Sequence, residues 1–390
     1  MHYPDGDNII TDNDGASWFT DGPPATTLKA DVMNALVGEL ANILKAYNIP
    51  IKNSGNDTFD QIATALIARD QGKTREASVV IASSDSDENA RLTADVVIST
   101  NEDFPTKLNI QISELASRGG GKIFLAKGTY NVVSNISIVY SDNIQIEGED
   151  RNTVIIDSRY STYIPGQWLI NFTGISNVIL KSLTIKNQIT APPSGTIYAL
   201  FNINSYIEDV TIEHNGGNYA FGYCNNMINC GVILNYCTAC SGFNLCDNLT
   251  NCYVKNNTVS VSEIGFESCR YVTSSIAESC YIGFTGTISR GGLSSCVAKT
   301  CAYGFNSCYY LSSCISDRSN VRGFTSCYGV NACLSNNSTA SAGLGYKDCH
   351  GFMGNRATII LSGFTSCTPE WGSSANAAAD TAAGGWNLFS

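Results

Sequence analysis

The sequence is poor in charged side chains. Asp, Glu, Lys and Arg make up 15% of its 390 residues, whereas about 25% is usual for soluble domains. Acids outnumber bases by 34 to 23, which gives a formal net charge of −11. Because phosphate binding requires an excess of Lys and Arg, nucleic acid is excluded as a partner. A neutral glycan, or one with scattered charges, is compatible with this composition.

Long apolar runs are also missing. No run approaches the roughly 18 apolar residues that a membrane-spanning helix needs, which excludes membrane insertion. The chain starts with the polar stretch Met1–Gly6 and lacks the basic-then-apolar pattern of a secretion signal. We therefore expect synthesis in a cytoplasm, with any role at a surface reached through assembly into a larger particle.

Cysteine is absent before Cys224, and all 16 cysteines lie between Cys224 and Cys367. Outside a secretory route we expect them to be reduced. Their even number is compatible with disulfides. Cys237 and Cys240 have the Cys-x-x-Cys spacing of a metal site, but no second pair accompanies them. The choice between disulfides, metal and a structural role therefore depends on how the cysteines recur.

The C-terminal half repeats a pair of Gly and an aromatic residue. Successive pairs are 23, 18, 21, 19, 22 and 18 residues apart, or about 20 per repeat. Helical solenoids use more than about 30 residues per repeat, whereas β-helix coils are shorter. The segments in between are rich in Ser, Thr, Val, Ile, Tyr and Cys and are broken by Gly and Asn, which is typical of short strands. The pairs are Gly242-Phe243, Gly265-Phe266, Gly283-Phe284, Gly304-Phe305, Gly323-Phe324, Gly345-Tyr346 and Gly363-Phe364.

Within these repeats the cysteines recur at two positions. One lies four residues after the Gly, and the other ends a hydrophobic-x-x-Cys pattern, with Val210 and Ser275 in equivalent places. Equivalent residues of stacked coils lie about 4.8 Å apart, and buried cysteine behaves as a small hydrophobe. We interpret both columns as reduced thiols in a narrow core, in preference to disulfides or metal. The first column is Cys246, Cys269, Cys308, Cys327, Cys349 and Cys367; the second is Cys230, Cys252, Cys296, Cys314 and Cys333.

A third column lies three residues after the second cysteine column. Its charge alternates from Lys255 to Asp317, and opposite charges on neighbouring strands attract. We predict an exposed ladder of ion pairs that fixes the stacking register and stabilises the protein modestly per pair. The column reads Glu213, Ile233, Lys255, Glu278, Lys299, Asp317 and Asn336.

The N-terminal 70 residues contain two helical patterns. Apolar residues recur at helical spacing from Val32 to Leu44, and a second short helix is predicted over Ile62–Ala68. With their flanking motifs they resemble the virion-attachment module of bacteriophage tail-fibre proteins, although a generic helical hairpin is the alternative. The resemblance implies that residues 1–70 dock onto a phage tail or baseplate protein. A linker is predicted over residues 71–92. The motifs are Asp21-Gly22-Pro23, Asn34-Ala35-Leu36, Glu39-Leu40, Asn42, Gln61-Ile62 and Ala65-Leu66.

The next segment has a helical pattern over Phe104–Arg118, followed by Gly119-Gly120-Gly121, a strand and Lys127-Gly128-Thr129-Tyr130. This order resembles the entry to pectate-lyase-like β-helices, including those of phage tail spikes. The resemblance and the repeat predict a mainly β fold: a right-handed parallel β-helix (a single-stranded solenoid) over residues 93–367, with a small α-helical attachment domain before it. Residues 368–390 are expected to cap the last coil or seal a trimer, since tail spikes are typically homotrimeric.

The resemblance leaves three functions open. The first is a receptor-binding protein of a virion tail that contacts a host cell-surface polysaccharide, either capsule or lipopolysaccharide. The second is a polysaccharide depolymerase, a glycosidase or a lyase, on the same scaffold. The third is a structural fibre or adaptor. The sequence indicates no cofactor and no metal.

Candidate catalytic acids are few. A retaining glycosidase needs two carboxylates about 5–5.5 Å apart, and an inverting one roughly 6.5–9.5 Å. Glu263 and Glu267 flank Gly265-Phe266, and Glu278 follows in the same coil, so we expect these three acids to share one face if the protein cleaves glycan. Solvated turn carboxylates are the alternative. A second polar cluster, Glu208-Asp209 with Glu213-His214, is interpreted as a surface turn. The clustered Asp residues with which a pectate-type lyase would bind Ca²⁺ are missing.

Aromatic residues are the stronger signal for binding. Exposed rings offer a platform to the apolar face of a sugar, and neighbouring Arg and Asn side chains bind its hydroxyls. We predict glycan binding by Arg270, Tyr271, Tyr309, Tyr310 and Tyr328, with ordinary packing or a subunit interface as the alternative. The column five residues after each Gly reads Asp247, Arg270, Ile288, Tyr309, Tyr328 and His350.

Overall fold

The computed structural model describes residues 78–371 with gaps, together with the strands Ile9–Thr11, Ser17–Phe19 and Ser374–Asn376. The chain divides into two compact units, Met1–Glu76 and Ala77–Ser390. The first two strands pair antiparallel in the first unit. The helices and the attachment module predicted there lie outside the described residues. The gaps are residues 101, 134–135, 140–142, 159–167, 174–176, 188–197, 203–204, 217, 236–238, 259–261, 287–290, 337–343 and 359–361.

The second unit is a parallel β-solenoid, which confirms the predicted fold class. Each coil contributes short strands to three walls, and each strand pairs in parallel with its equivalent in the next coil. Wall 1 is an 11-stranded sheet. Its strands are Ile136–Val139, Trp168–Thr173, Tyr198–Asn202, Tyr219–Gly222, Ser241–Asn244, Ile264–Glu267, Ile282–Thr285, Tyr303–Asn306, Arg322–Thr325, Leu344–Lys347 and Ser362–Thr365.

Walls 2 and 3 are joined by two long strands, Val178–Asn187 and Ser205–His214, whose first halves lie in wall 2 and second halves in wall 3. The other strands of wall 2 are Val96–Ile98, Val79–Ser83, Gly121–Leu125, Ile144–Gly148, Asn225–Ile228, Asp247–Thr250, Arg270–Thr273, Leu293–Ser294, Tyr309–Ser312, Tyr328–Asn331, His350–Met353 and Thr368–Trp371. Those of wall 3 are Gly128–Val132, Val154–Ser158, Gly231–Leu234, Tyr253–Asn256, Ile276–Glu278, Val297–Lys299, Ile315–Asp317, Leu334–Asn336, Arg356–Thr358 and Ser374–Asn376.

A helix covers the N-terminal part of the core, as its spacing predicts. It spans Phe104–Ser117, has a proline in its first turn, and buries Phe104, Leu108, Ile112 and Leu115. Proline fits the first turn because that backbone position has no intrahelical hydrogen bond to lose. A shorter helix, Glu88–Thr93, starts where the Asp87 carboxylate accepts the Ala90 N–H at 2.7 Å. Among the described residues, neither helix has the length and apolar character needed to cross a membrane.

The solenoid extends beyond both predicted limits. Val79–Ser83 pairs with Gly121–Leu125 and Val96–Ile98, so this part of the expected linker belongs to wall 2. At the other end, Thr368–Trp371 and Ser374–Asn376 pair with the preceding coil. Part of the expected C-terminal cap is therefore further solenoid wall.

The Gly-aromatic pairs line the core of wall 1. From Phe221 to Tyr346 the rings are buried and stack on each other with centroids 4.7–4.9 Å apart. The glycines before the five rings from Phe243 to Phe324 face wall 3 across a narrow interior. A Cβ at Gly265 would lie 2.8 Å from the Ala277 Cβ and 2.5 Å from the Gly283 carbonyl oxygen. Glycine is therefore required because there is no room for a methyl group.

Both predicted cysteine columns lie inside the solenoid. The 15 cysteines that the structure describes are buried free thiols. Many donate to carbonyl oxygens of their own and the preceding coil, as Cys269 does to Glu267 at 3.4 Å and to Phe243 at 3.5 Å. Ser275 occupies the second column as predicted, and its Oγ accepts the Cys252 N–H at 3.1 Å. Burial raises the pKa of the Cys327 and Cys349 thiols, which disfavours the reactive thiolate.

Candidate functional site

The predicted charge column is confirmed in register. Glu213, Ile233, Lys255, Glu278, Lys299, Asp317 and Asn336 are paired in this order along wall 3. Lys299 Nζ lies 2.7 Å from Glu278 Oε1, and the Asn336 amide donates to Asp317 Oδ1 at 3.0 Å. The hydrogen bond from Lys299 lowers the pKa of the Glu278 carboxyl. Glu278 is thus an ionised member of the ladder.

The three candidate acids do not share a face, so that expectation is wrong. Glu263 is completely buried. Glu267 is half-buried at the end of a wall 1 strand, where its Oε2 accepts from Ser241 Oγ at 2.6 Å and from Asn244 Nδ2 at 3.1 Å. Glu278 lies in wall 3. Gly265-Phe266 is part of a strand and not a turn, so the acids on either side of it do not converge. Their catalytic role stays a prediction.

Glu263 interrupts a third line of cysteines that the sequence analysis did not identify. Cys240 and Glu263 occupy equivalent places, since their carbonyls accept the N–H of Ile264 and Ile282 in successive coils. A hydrogen bond to Cys301 and burial raise the pKa of the Cys280 thiol, and Glu263 acts in the same direction. Asn256 Nδ2 lies 3.5 Å from Glu263 Oε2. Within the described part of the chain, Glu263 Oε1 has no hydrogen-bond partner.

The second polar cluster is divided among ion pairs and the core. Lys181 lies 2.7 Å from Glu208, Arg151 lies 2.7 Å from Asp209, and Lys186 lies 3.5 Å from Glu213. His214 is completely buried. The acids of this cluster therefore stabilise the stacking of coils. Among the described residues, no group of three or more His, Cys, Asp or Glu side chains is arranged to hold a metal ion.

The predicted glycan-binding residues, in contrast, lie together on wall 2. Asp247 pairs with Arg270, and Tyr309 with Tyr328 and then His350. The Tyr309 and Tyr328 rings stack with centroids 5.0 Å apart, and the His350 ring lies 5.0 Å from Tyr328. The faces of Tyr328 are therefore covered by its neighbours.

One position of that column was predicted wrongly. Leu293 pairs with Val272 and with Leu311, which places Gly291 between Arg270 and Tyr309. The count of five residues after each Gly selects Ile288, which lies outside the described residues. A Cβ at Gly291 would lie 2.5 Å from the Arg270 Cβ, so this coil carries no side chain in the column. The Arg270 guanidinium binds both carboxylate oxygens of Asp247, and this contact raises the pKa of Arg270.

Tyr271 and Tyr310 stand on a corner with left-handed backbone. Both have φ of 53°, and they are 54% and 60% exposed. Other coils place Asn226, Asn248, Gly329 and Gly351 in this column, also with positive φ. Asn and Gly adopt this conformation readily, whereas for other residues it costs roughly 1–2 kcal/mol. Two coils thus present an exposed ring at a conformational cost that their neighbours avoid.

The next outward column is polar and uncharged through five coils. Thr250, Thr273, Ser294, Ser312 and Asn331 are paired in sequence. Thr273, Ser312 and Asn331 are exposed. We call these five residues the hydroxyl strip. Met353 follows Asn331 in the column. The strip lies between the tyrosine corner and wall 3, and the sequence analysis did not identify it because single Ser and Thr residues are common throughout the repeats.

A shallow groove lies farther along the same coils. It has a volume of about 410 Å³ and is bounded by exposed Ile276 and by the charge ladder at Lys255 and Glu278. The groove lies at the corner between walls 2 and 3. The described surface thus has three adjacent zones, which are aromatic, hydroxyl-rich and charged.

Comparison with known proteins finds solved structures of low sequence identity and limited structural similarity. No protein-family model matches the chain, and no curated protein matches its sequence. The catalytic domain of a GH87 α-1,3-glucanase in complex with nigerose is 11% identical, with a TM-score of 0.46 over 72% of this chain and 65% of that domain. This chain thus spans less than two thirds of the length of that domain.

Two further solved structures are similar to parts of the chain. The A-module of the Azotobacter vinelandii mannuronan C-5 epimerase AlgE6 is 14% identical, with a TM-score of 0.37 over 73% of this chain and 95% of the module. ORF18 of Geobacillus virus E2 is 15% identical, with a TM-score of 0.33 over 95% of this chain and 69% of that protein. At this level of similarity the functional conclusion has to come from the residues of this chain.

Proposed function

We propose that the chain is a receptor-binding protein of a bacteriophage tail, and that the surface around Tyr271 and Tyr310 binds a polysaccharide of the host cell surface. One observation carries the binding function: two tyrosines are exposed at a left-handed corner where neighbouring coils have Asn or Gly. A residue held in an unfavourable conformation at an exposed position favours a functional role over a packing role.

The chemistry of the surface supports this choice of ligand. A sugar ring has an apolar face that stacks on aromatic rings and a rim of hydroxyls that needs hydrogen-bond partners. Tyr271 and Tyr310 supply the rings, and the stacked Tyr309 and Tyr328 supply phenol groups beside them. Tyr310 lies next to Gly329, where a Cβ would be 3.2 Å from the ring, so glycine leaves room for the tyrosine on one side.

The assignment to a phage tail rests on the motifs of residues 1–70 and on the entry to the solenoid, which resemble tail fibres and tail spikes. By the same resemblance, the protein is a homotrimer whose N-terminal residues dock onto the tail or baseplate, and it acts in the virion after synthesis in the host cytoplasm. A depolymerase is the less favoured function, because Glu263, Glu267 and Glu278 do not converge.

The decisive experiment replaces both corner tyrosines with the residue that other coils use. In Tyr271→Asn/Tyr310→Asn, binding to a panel of bacterial capsules and lipopolysaccharides should weaken at least tenfold, or by about 1.4 kcal/mol. The free energy of unfolding should rise by roughly 1–2 kcal/mol per position, since the strain is relieved. Glycan arrays and calorimetry measure the first effect, and urea unfolding measures the second.

Tyr223→Asn is the matched control. Tyr223 is also exposed with φ of 54°, but it lies on another corner, so it should gain stability without losing affinity. Unchanged glycan binding by the double variant would refute the proposed site. New reducing ends or unsaturated products in the wild-type reaction would show that the protein also cleaves its ligand.

A further inference from the structure

We infer that the polysaccharide bound at this surface is uncharged, and that the hydroxyl strip beside the tyrosines hydrogen-bonds it. The inference rests on the proposed function and narrows its ligand to a chemical class. It follows from which side chains border the two exposed rings and from how the nearby charges are used.

The strands that carry the two rings also carry exposed hydroxyl groups. Thr273 and Ser312 lie two residues after Tyr271 and Tyr310 on the same strands and are exposed. Asn331 continues the strip into the next coil. Hydroxyl and amide groups both donate and accept hydrogen bonds, so they match sugar hydroxyls in either direction. A carboxylate or phosphate on the glycan would instead need cationic donors.

Three of the cations around the strip have anionic partners. Arg270, the guanidinium closest to the rings, binds both oxygens of Asp247. On the far side, Lys299 is paired with Glu278, and Arg318 with Asp317 at 3.1 Å. An acidic polysaccharide would have to compete with these carboxylates. It would also approach a chain of net charge −11, whose overall field repels polyanions.

The strand register of wall 2 also indicates that the bound polymer lies along the solenoid axis. Tyr271 and Tyr310 are two coils apart, with Gly292 between them in the same column, so the rings are separated by about 10 Å along the solenoid axis. The hydroxyl strip runs parallel to this line and repeats once per coil. An extended neutral polymer laid along the axis thus meets rings on one side and hydroxyls on the other.

Binding of two sets of polysaccharides at two salt concentrations tests this inference. One set contains neutral hexose and N-acetylhexosamine polymers, and the other contains polymers with uronic acid, sialic acid or phosphate. A neutral polymer should bind with a Kd that changes less than about twofold between roughly 0.05 and 0.5 M NaCl, because no ion pair is there to be screened. Thr273→Val/Ser312→Ala should weaken this binding about five- to tenfold, since each lost hydrogen bond is worth about 1 kcal/mol or less.

Thr285→Val is the control, because Thr285 lies at an outward position of wall 1 away from the strip. It should leave the Kd unchanged. If acidic polymers bind, lose affinity steeply with salt, and neutral ones do not bind, the inference is overturned while the proposed function stands. If neither set binds, the proposed function is overturned as well. Neutral binding that is insensitive to Thr273→Val/Ser312→Ala refutes the hydroxyl strip as its partner.

Discussion

The first coils of the solenoid and the later ones solve the same packing problem with different residues. Between residues 79 and 214 the core consists mainly of Ile, Val and Leu, and the walls carry ion pairs such as Lys122–Glu147 and Lys181–Glu208. Between residues 219 and 367 the core consists of stacked aromatic rings, cysteines and small residues, together with aliphatic residues such as Leu249, Val272 and Leu311 from wall 2. The strands there are two to four residues long, whereas the two strands before Tyr219 that join walls 2 and 3 have ten.

The two groups of coils also differ in length. Thr184 pairs with Ile155, 29 residues earlier, whereas Ile315 pairs with Val297, 18 residues earlier. The later coils are narrow, since the glycines of wall 1 face Ala277, Ala298, Ser316 and Ser335 of wall 3 with no room for a Cβ. Branched aliphatic side chains from three walls then no longer fit, and one flat ring opposed by Gly, Ala, Ser and Cys fills the space. The regularity of the later coils is therefore a consequence of their small cross-section, and it also aligns surface residues such as the hydroxyl strip.

The largest expected effect on stability comes from removing one ring of the aromatic stack in the later coils. Phe284→Ala should lower the free energy of unfolding by about 3–5 kcal/mol, because Phe284 stacks on both Phe266 and Phe305. Phe104→Ala is the counterpart in the first coils, where Tyr130 is the one aromatic neighbour of the ring among the described residues. An aromatic contact is worth about 0.5–1.5 kcal/mol beyond burial, so Phe284→Ala should cost about 1 kcal/mol more. Equal costs in urea unfolding would show that stacking adds nothing to burial.

A smaller effect is expected from adding one carbon. Gly265→Ala places a Cβ 2.8 Å from the Ala277 Cβ and 2.5 Å from the Gly283 carbonyl oxygen. Overpacking of this kind costs about 1–3 kcal/mol. Ala277→Gly in the same chain removes the first contact and should restore part of the lost stability, which a double-mutant cycle measures. If the two changes prove additive, the interior is wider than the stacking implies.

The solenoid and its strand registers could be predicted from the sequence because a regular repeat places equivalent residues of successive coils in contact. Residues at one place in successive coils touch, so regular spacing was sufficient to predict the charge ladder and both cysteine columns. It failed where the coil length changes. In other coils the column lies five residues after the Gly, but in this coil it lies eight residues after Gly283. The sequence analysis therefore assigned Ile288 to the column in place of Gly291. Cys240 and Cys280 stand at different distances from their Gly residues, which hid the third cysteine line and the buried position of Glu263.

The sequence also did not allow us to predict whether a side chain at a corner points into the core or into solvent. In a strand, alternate residues point inward, but a left-handed residue at a corner breaks the alternation. Tyr271 and Ser274 have φ of 53° and 50° and are exposed, while Val272 and Ser275 are buried. The sequence therefore indicated which residues are stacked, and only the backbone shows which of them face solvent.

A weaker effect on stability is expected from a substitution in the cysteine columns. Cys296→Ser should cost about 1 kcal/mol or less, since a serine there can donate to the Val272 and Ser294 carbonyls that accept from the thiol at 3.3 and 3.4 Å. Ser275 already holds the equivalent place in the preceding coil. Alkylation after unfolding without reductant, followed by mass spectrometry, should count 16 free thiols. A native disulfide would reduce that count, and losing one would cost about 2–5 kcal/mol.

The smallest expected effect lies in the charge ladder of the later coils. Lys299→Met removes the partner of Glu278 and keeps an apolar stem. Because both side chains are partly exposed, the loss of stability at neutral pH should be below about 1 kcal/mol. It should shrink further at high salt, where exposed charges are screened. Lys127→Met is the control on the described surface, because Lys127 is outside the ladder.

The pH dependence of this loss identifies its cause. Lys299 lowers the pKa of Glu278 in the folded protein, so the folded state binds the proton less readily than the unfolded chain, in which a Glu titrates near about 4.3. The stabilisation by the pair is therefore complete above that pH and disappears as pH falls through the lower folded pKa. The difference in free energy of unfolding between wild type and Lys299→Met should be constant from about pH 6 to 8 and vanish when Glu278 is protonated in both states. A difference that persists in acid would mean that Lys299 stabilises the fold through contacts other than its ion pair with Glu278, and that the ladder fixes the register without electrostatic stabilisation.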